Sequence, residues 1–458
     1  IPRAAGLSAN MTHTSITQAL VAAIREIGGE NVPEEARETA RHCLLDFLGC
    51  AVAGSRESLT SILIESVVRA EGAVEASLIG RPERATRLSA ALVNGAAGHA
   101  LDFDDTHTTM TGHPSVPVLP ALLALGETEG ASGRQLLDAL VIGVEFECRL
   151  GALLGVAHYA KGFHATGTLG TFGAAAGCAR LLDLDEAGWL HAIGLAGTQA
   201  AGLKASFGTM AKPLHAGRAA SAGLLAALLA RGGFTGQTAI VEVAQGFAAT
   251  QAAGEPDAAL LDHYRNRFLI RDTLFKVHAA CYLTHAAIDA ATVLRQRHGL
   301  EPENVESVEV SLAAPVLDVC NIAEPKTGLE GKFSVRATVA LALLGEDTRD
   351  PATFSDAKMA EPRVVALRDR VRVRTADGLR PTQARVVIES TAQRLEADAD
   401  TGMPAIDLDV QRSGLLRKFT MLASPVLGAA GAQRLADAAL RVDELESVAG
   451  LLRLARPG

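Results

Sequence analysis

Aromatic side chains are scarce in this chain: 13 Phe, 3 Tyr and 1 Trp make up 4% of its 458 residues. Platforms for stacking bases, sugars or polycyclic ligands are therefore few, which points to a small, polar ligand. Basic runs are missing as well. Forty-three Lys and Arg stand against 52 Asp and Glu, a net charge of −9, and no dense stretch could follow a phosphate backbone, so no nucleic acid partner is expected. Six cysteines (Cys43, Cys50, Cys148, Cys178, Cys281, Cys320) are scattered through apolar segments. With no C-x-x-C pair and no regular spacing they suggest neither a zinc cage nor a disulfide framework, a pattern that fits a reducing cytoplasm. No uncharged apolar run reaches the roughly 18 residues of a membrane span. The longest apolar stretch, Leu136 to Leu154, carries Asp138, Glu145, Glu147 and Arg149, so no membrane partner is expected either. The first ten residues, before Met11, have neither signal-peptide nor helix character and add nothing to the fold reading.

What is present is apolar and helical. A composition 48% hydrophobic and 21% charged excludes disorder, and the length exceeds that of a single small module. From about Ser15 to Phe268, Ala and Leu recur at three- and four-residue spacing with breaks at Gly or Pro clusters, which predicts helices. The clearest are Glu34 to Ala53, Leu88 to Leu101, Val116 to Glu129, Gly133 to Leu154, Leu182 to Ala201 and Arg218 to Arg231. Small residues on their faces let helices approach closely. After a further helix, Ala279 to His298, alternation predicts strands at Val305–Leu312, Val371–Arg374 and Gln383–Ser390, with another helix at Ser334 to Leu344. Helix returns after Asp407, in Val410 to Leu422 and Ala429 to Leu454. The expected fold is mainly α: a helical domain built from both chain ends (11–270 and 407–458) around a smaller α+β lid (271–406).

The densest polar text is Asn94-Gly-Ala-Ala-Gly-His99-Ala-Leu-Asp102-Phe-Asp104-Asp105-Thr106-His107, then Thr111-Gly-His113-Pro-Ser115. Three carboxylates and three imidazoles beside an apolar helix suit a cleft for proton transfer or metal binding better than they suit packing. A second cluster, Lys161-Gly-Phe-His164-Ala-Thr166-Gly-Thr168, opens a glycine-rich helix without the strand-turn-helix context of a dinucleotide site. A third, Lys212-Pro-Leu-His215-Ala-Gly-Arg218, also opens a helix, where unpaired N–H groups favour an anion. The fourth runs from Phe275-Lys276-Val-His278 through Cys281-Tyr282-Leu-Thr284-His285 to Asp289. Only eight of the 43 basic residues are lysines, and three of those, Lys161, Lys212 and Lys276, sit beside histidines in apolar text. A compact ammonium there can neutralise a carboxylate or move a proton.

Taken in order, these motifs, with Lys332-Phe-Ser334, Ala423-Ser-Pro-Val-Leu-Gly428 and Asp443-Glu-Leu445, closely resemble the MmgE/PrpD family over nearly the whole chain after Met11. The family includes 2-methylcitrate dehydratase, cis-aconitate decarboxylase and iminodisuccinate epimerase. The resemblance implies a large helical domain, a smaller lid, a homodimer, and a cleft working without metal or organic cofactor. Its chemistry would be proton transfer at carbon next to a carboxylate, in a small di- or tricarboxylate. By similarity Asp102, His113, His164 and Lys212 are the expected catalytic positions, and Thr106, Lys276 and Cys281 the substrate-binding ones. Lys212, Lys276 and His164 would hold substrate carboxylates, because removing a carbon-bound proton builds negative charge. His113, or Asp102 acting with it, would be the acid or base. Cys281 stands where the decarboxylase type carries a histidine, and Ala337 where many members have a tyrosine, both of which argue against cis-aconitate decarboxylase. The loop Thr106 to His113 is closer to the epimerase type. Two other readings compete. Asp102-Phe-Asp-Asp105 is similar to the aspartate-rich magnesium motif of helical terpenoid synthases, though the second metal motif and aromatic pocket those enzymes need are missing. A non-catalytic helical scaffold would instead leave the histidines and lysines dispersed in space.

Overall fold

The computed structural model describes residues 15–28, 31–72, 74–252 and 256–457; residues 1–14, including the first four of the expected helical domain, lie outside them. The protein is mainly α, with a smaller α+β portion. Helices predominate in the described chain up to His298. Glu34–Gly54, Arg87–His99, Ser115–Glu129, Gly133–Leu154, Ala165–Leu181 and Ala211–Arg231 carry most of the first core. Boundaries follow local chemistry: Ser132 and Gln135 form a capping box that starts Gly133–Leu154, and Gly130 at φ 72° stops Ser115–Glu129. The predicted helix Leu182 to Ala201 begins later, at Glu186, because Asp185 caps it and Asp183 takes φ 49°.

Two short strands, β1 (Ala76–Ser77) and β2 (Arg84–Ala85), pair in an antiparallel ladder. The main sheet contains β3 (Val305–Leu312), β4 (Val371–Thr375), β5 (Gln383–Ser390) and β6 (Arg394–Asp400) in the order β4-β3-β5-β6. β3 runs parallel to β4 and antiparallel to β5, with Val310 opposite both Val373 and Val386. One face packs on His285–His298, which starts later than the expected Ala279 because Tyr282–Thr284 forms a 3-10 turn ahead of it. Leu408–Leu440 breaks at Gly428, whose φ of 72° is open to glycine without strain. The last predicted helix stops at Leu440 and resumes at Val448, with a 3-10 turn between them.

One apolar core joins Leu20 through Ile270 to Leu415 through Ala455, so both chain ends share it. A second joins Ala286 through Leu395 around the sheet. A seam between them is filled by Leu101, Phe103, Ala279, Ala337, Leu341 and Leu422. The crossing of Arg87–His99 over Ala211–Arg231 fixes the site. A Cβ on Gly95 would lie 2.7 Å from Gly217 Cα, and one on Gly217 would collide with Leu92 O. Only glycine at both points lets the axes come this close, which brings His99, at the end of the first helix, against Lys212, at the start of the second.

Candidate active site

Past His99 the chain leaves the helix and turns inward. Asp102 takes φ 50°, an uncommon conformation for a residue with a side chain, and is only 2% exposed. Its Oδ1 receives the Lys212 ammonium and lies 3.2 Å from that of Lys276. Burial would raise this carboxyl's pKa, but the two lysine charges outweigh it and hold the group well below its ordinary value. Asp104 is likewise held low, burial being outweighed by the facing His99 and His113 rings. Asp105 behaves oppositely: burial, with the Asp46 charge nearby, pushes it up to about 8.

For His99 and His113 the hydrogen-bond partners define which ring nitrogen carries the proton. Burial, only partly offset by Asp104, lowers His99 to about 3, so it is neutral. Its Nδ1 is 2.8 Å from Asp104 and therefore carries the hydrogen, while Nε2 accepts from Lys212 at 2.9 Å. Burial lowers His113 too. Its Nδ1 lies 2.6 Å from the Asp105 carbonyl, which can only accept, so the hydrogen is on Nδ1 and the Nε2 lone pair is free. Nε2 is 3.9 Å from Asp102 Oδ1, beyond bonding distance. His164, lowered by burial and by Lys212, pairs with His215 at 3.1 Å.

Of these groups His113, His164 and Lys212 border a cavity of about 530 Å³ between the two cores. Thr106, His113, His164 and Lys212 enter its wall from the helical side, and Cys281 from the sheet side; Tyr159, Lys204, Phe207, Asp318, Phe333 and Arg380 are among the other polar and aromatic residues of the lining. Asp102 and Lys276 are not in the lining. The structure places Lys276, which was expected to hold a substrate carboxylate, behind Asp102, donating to the Asp102 carbonyl at 2.8 Å. Asp102 orients the lysines from below, and Thr106 donates to Gly112 O at 3.0 Å to close the loop carrying His113. Lys161 turns away, onto Thr250 O at 2.8 Å. Ala337 is fully buried in the seam, off the cavity.

His99 and Asp104, quoted in the densest motif but not selected as site residues, form the middle of the network. His99, Asp104 and His113 bring ligand-type atoms within 4.8 Å of one another. That set does not suit a cation: His99 Nε2 already faces the Lys212 ammonium, whose charge opposes a second cation there. Nor do the three aspartates converge as a magnesium motif requires. Asp102 faces lysines, Asp104 faces imidazoles, and Asp105 accepts from Ser115.

A mainly helical chain with an α+β lobe, and with buried imidazoles and lysines around a cavity between its two cores, defines a class of two-lobed protein suited to proton transfer on an anion. The MmgE/PrpD N-terminal domain profile matches residues 18–259 and the C-terminal domain profile matches residues 278–444, and the chain belongs to that family. It is 29% identical over 377 residues to a cis-aconitate decarboxylase of Mus musculus, covering 78% of this chain and 75% of that one. A human cis-aconitate decarboxylase is 29% identical over 374 residues, 78% of this chain and 76% of its own. One from Aspergillus terreus is 28% identical over 465 residues, 93% of this chain and 92% of its own. Among the described residues no single helix is long and apolar enough to cross a membrane.

Proposed function

We propose that this protein is a cofactor-independent lyase that moves a proton at the carbon beside a carboxylate of a small di- or tricarboxylate. One observation carries the reading: His113, whose Nε2 lone pair is free, and Lys212 line the same cavity. Lys212 uses two of its three donors on Asp102 and His99, leaving one for substrate. His113 is the acid or base, because Asp102, held ionised by two lysines, is a poor proton carrier near neutral pH. Lys212, with His164 beside it, stabilises the charge that builds on the substrate as the bond to carbon breaks. The decarboxylase relatives act on cis-aconitate by name, which supports a carboxylate substrate. Of the two departures that argued against that activity, only Cys281 touches the cavity. The same proposal includes a homodimer in the cytoplasm.

An epimerase is the second reading, favoured by protonatable groups on both walls: His113 and His164 on the helical side, Cys281 on the sheet side. Incubation with a panel of di- and tricarboxylates, cis-aconitate included, in D₂O separates these outcomes by NMR. Carbon dioxide release or a new alkene identifies a lyase, and exchange without net reaction an epimerase. No exchange and no reaction with any member would overturn the proposal. His113→Ala and Lys212→Ala should each lower turnover roughly a hundredfold or more with folding retained; wild-type rates in both would refute the assignment.

A further inference from the structure

Among the described residues three lysine or arginine side chains line the cavity: Lys212, Arg380 and Lys204. Two already have carboxylate partners, Lys212 with Asp102 and Arg380 with Asp400. Among the described residues, Lys204 has none within ion-pair distance. Its ammonium donates to Tyr159 O at 3.0 Å and lies 4.0 Å from the centre of the Tyr159 ring. An ammonium has three donors, so two remain uncommitted. The side chain is half-buried, and burial pulls its pKa down, with the exposed Asp318 only partly compensating. An unpaired, partly desolvated charge is costly unless an anion completes it.

Its placement is set by backbone pairing. Phe163 and Leu203 form an antiparallel bridge, with His164 N donating to Gly202 O at 3.0 Å and Lys204 N to Gly162 O at 2.9 Å. Lys204 is thus registered to the loop that carries His164. It stands two extended residues from the position opposite that histidine, about 7 Å along the chain. Lys212 is buried at 4% exposure, whereas the Arg380 side chain is 58% exposed. Lys204 therefore falls between the deep groups and the rim.

We propose that Lys204 binds a second substrate carboxylate, remote from the reacting carbon, and so selects polycarboxylates over monocarboxylates. This rests on the carboxylate reading above. A monocarboxylate spans only the deep Lys212 and His164 end of the cavity. A dicarboxylate or tricarboxylate reaches Lys204 as well and gains a charge-assisted hydrogen bond.

Isothermal titration calorimetry with unreactive tricarballylate and with butyrate tests this on wild-type protein, Lys204→Met, Lys204→Arg and the surface control Lys326→Met. Wild type and Lys326→Met should bind tricarballylate more tightly than butyrate. Lys204→Met should weaken tricarballylate roughly tenfold or more and leave butyrate unchanged, while Lys204→Arg recovers most of the loss. Unfolding of Lys204→Met is excluded by its circular dichroism melt, and Lys204→Arg supplies an independent reading. If Lys204→Met binds tricarballylate as wild type does, or weakens both ligands equally, the assignment of Lys204 is wrong while the carboxylate site stands. If wild type binds neither ligand, the carboxylate reading fails and this one with it.

Discussion

Replacing Asp102 by Asn removes one negative charge from a buried group that holds two ammonium ions. Lys212 bonds Oδ1, and Lys276 lies 3.2 Å from Oδ1 and 2.8 Å from the Asp102 carbonyl. All three side chains are nearly inaccessible to water, so the lysines lose their counter-charge where solvent cannot replace it. Breaking such a pair costs about 3–5 kcal/mol. At roughly 2.1 cal/mol/K per residue, 458 residues give an unfolding entropy near 1 kcal/mol/K, so the melting midpoint should fall by about 3–5 °C. The carboxyl's folded pKa is depressed, so its stabilisation is fully present above the unfolded value of about 3.9 and is lost only as pH falls below it. The difference from wild type should therefore hold at pH 7 and close under strongly acidic conditions. Scanning calorimetry of wild type, Asp102→Asn, Lys276→Met and Asp102→Asn/Lys276→Met provides the check. Removing one surplus cation should recover part of the loss, giving a favourable coupling between the two substitutions. A shift under 1 °C for Asp102→Asn, or a double variant as unstable as the summed singles, would refute this account of the charge network.

Because burial lowers His113, the proposed base is already neutral below its ordinary pKa. The acid limb of kcat/KM should lie below pH 6.5, with no rise between pH 6.5 and 8; a limb centred above 7 would assign the base elsewhere. Glu147 is buried with neither carboxylate oxygen bonded, and burial plus the Asp105 charge raises it well above its ordinary value. The folded state keeps a proton that the unfolded state releases above about pH 4.5, so stability falls by about 1.4 kcal/mol per pH unit until the folded pKa is passed. Glu147→Gln should match wild type near pH 4 and melt progressively higher than it as pH rises above 5; parallel pH profiles would contradict that. Gly217→Val places a side chain into Leu92 O and should cost more than about 3 kcal/mol in urea unfolding while separating His99 from Lys212. A fully stable, active Gly217→Val would show that the close crossing is unnecessary.

Helix periodicity made the core legible because the packed faces are continuous Ala and Leu stripes, as in Gly133–Leu154, whose predicted bounds the structure reproduces. β6 escaped notice since its inward positions are Leu395, Ala397 and Ala399, and alanine gives alternation too little contrast. Its pairing with β5 is marked by charge instead, as in Arg385 with Asp398. In the site, residues close in sequence were readable and those joined only by folding were not. His113, His164 and Lys212 stand in dense polar text and do meet at one cavity. Lys418 pairs with Asp46 at 2.6 Å across 372 positions, and neither has a neighbour in sequence that marks it. Lys204 sits in an unremarkable loop, where the one available signal is the rarity of lysine itself.

The loop carrying Asp102 shows why that rarity matters. Leu101, Asp102 and Phe103 present three successive backbone carbonyls, and each accepts from a different lysine: Lys332, Lys276 and Lys418. Holding Asp102 at φ 50° costs on the order of 1–3 kcal/mol, whereas a hydrogen bond to a charged donor contributes about 1.5–3 kcal/mol. Three such bonds outweigh the strain. Arginine would serve poorly at these points, since its planar fork suits two-oxygen partners and a single recessed carbonyl is better met by a compact ammonium. The three lysines come from segments far apart in the chain, and Lys332 O also accepts from Cys281 N at 3.0 Å, tying the sheet-side wall of the cavity to the same loop. The Asp102 conformation is thus imposed only when the sheet side and the C-terminal helix are both docked. It follows that the geometry proposed for proton transfer at His113 and Lys212 belongs to the assembled lobes, and that the sequence around Asp102 alone does not encode it.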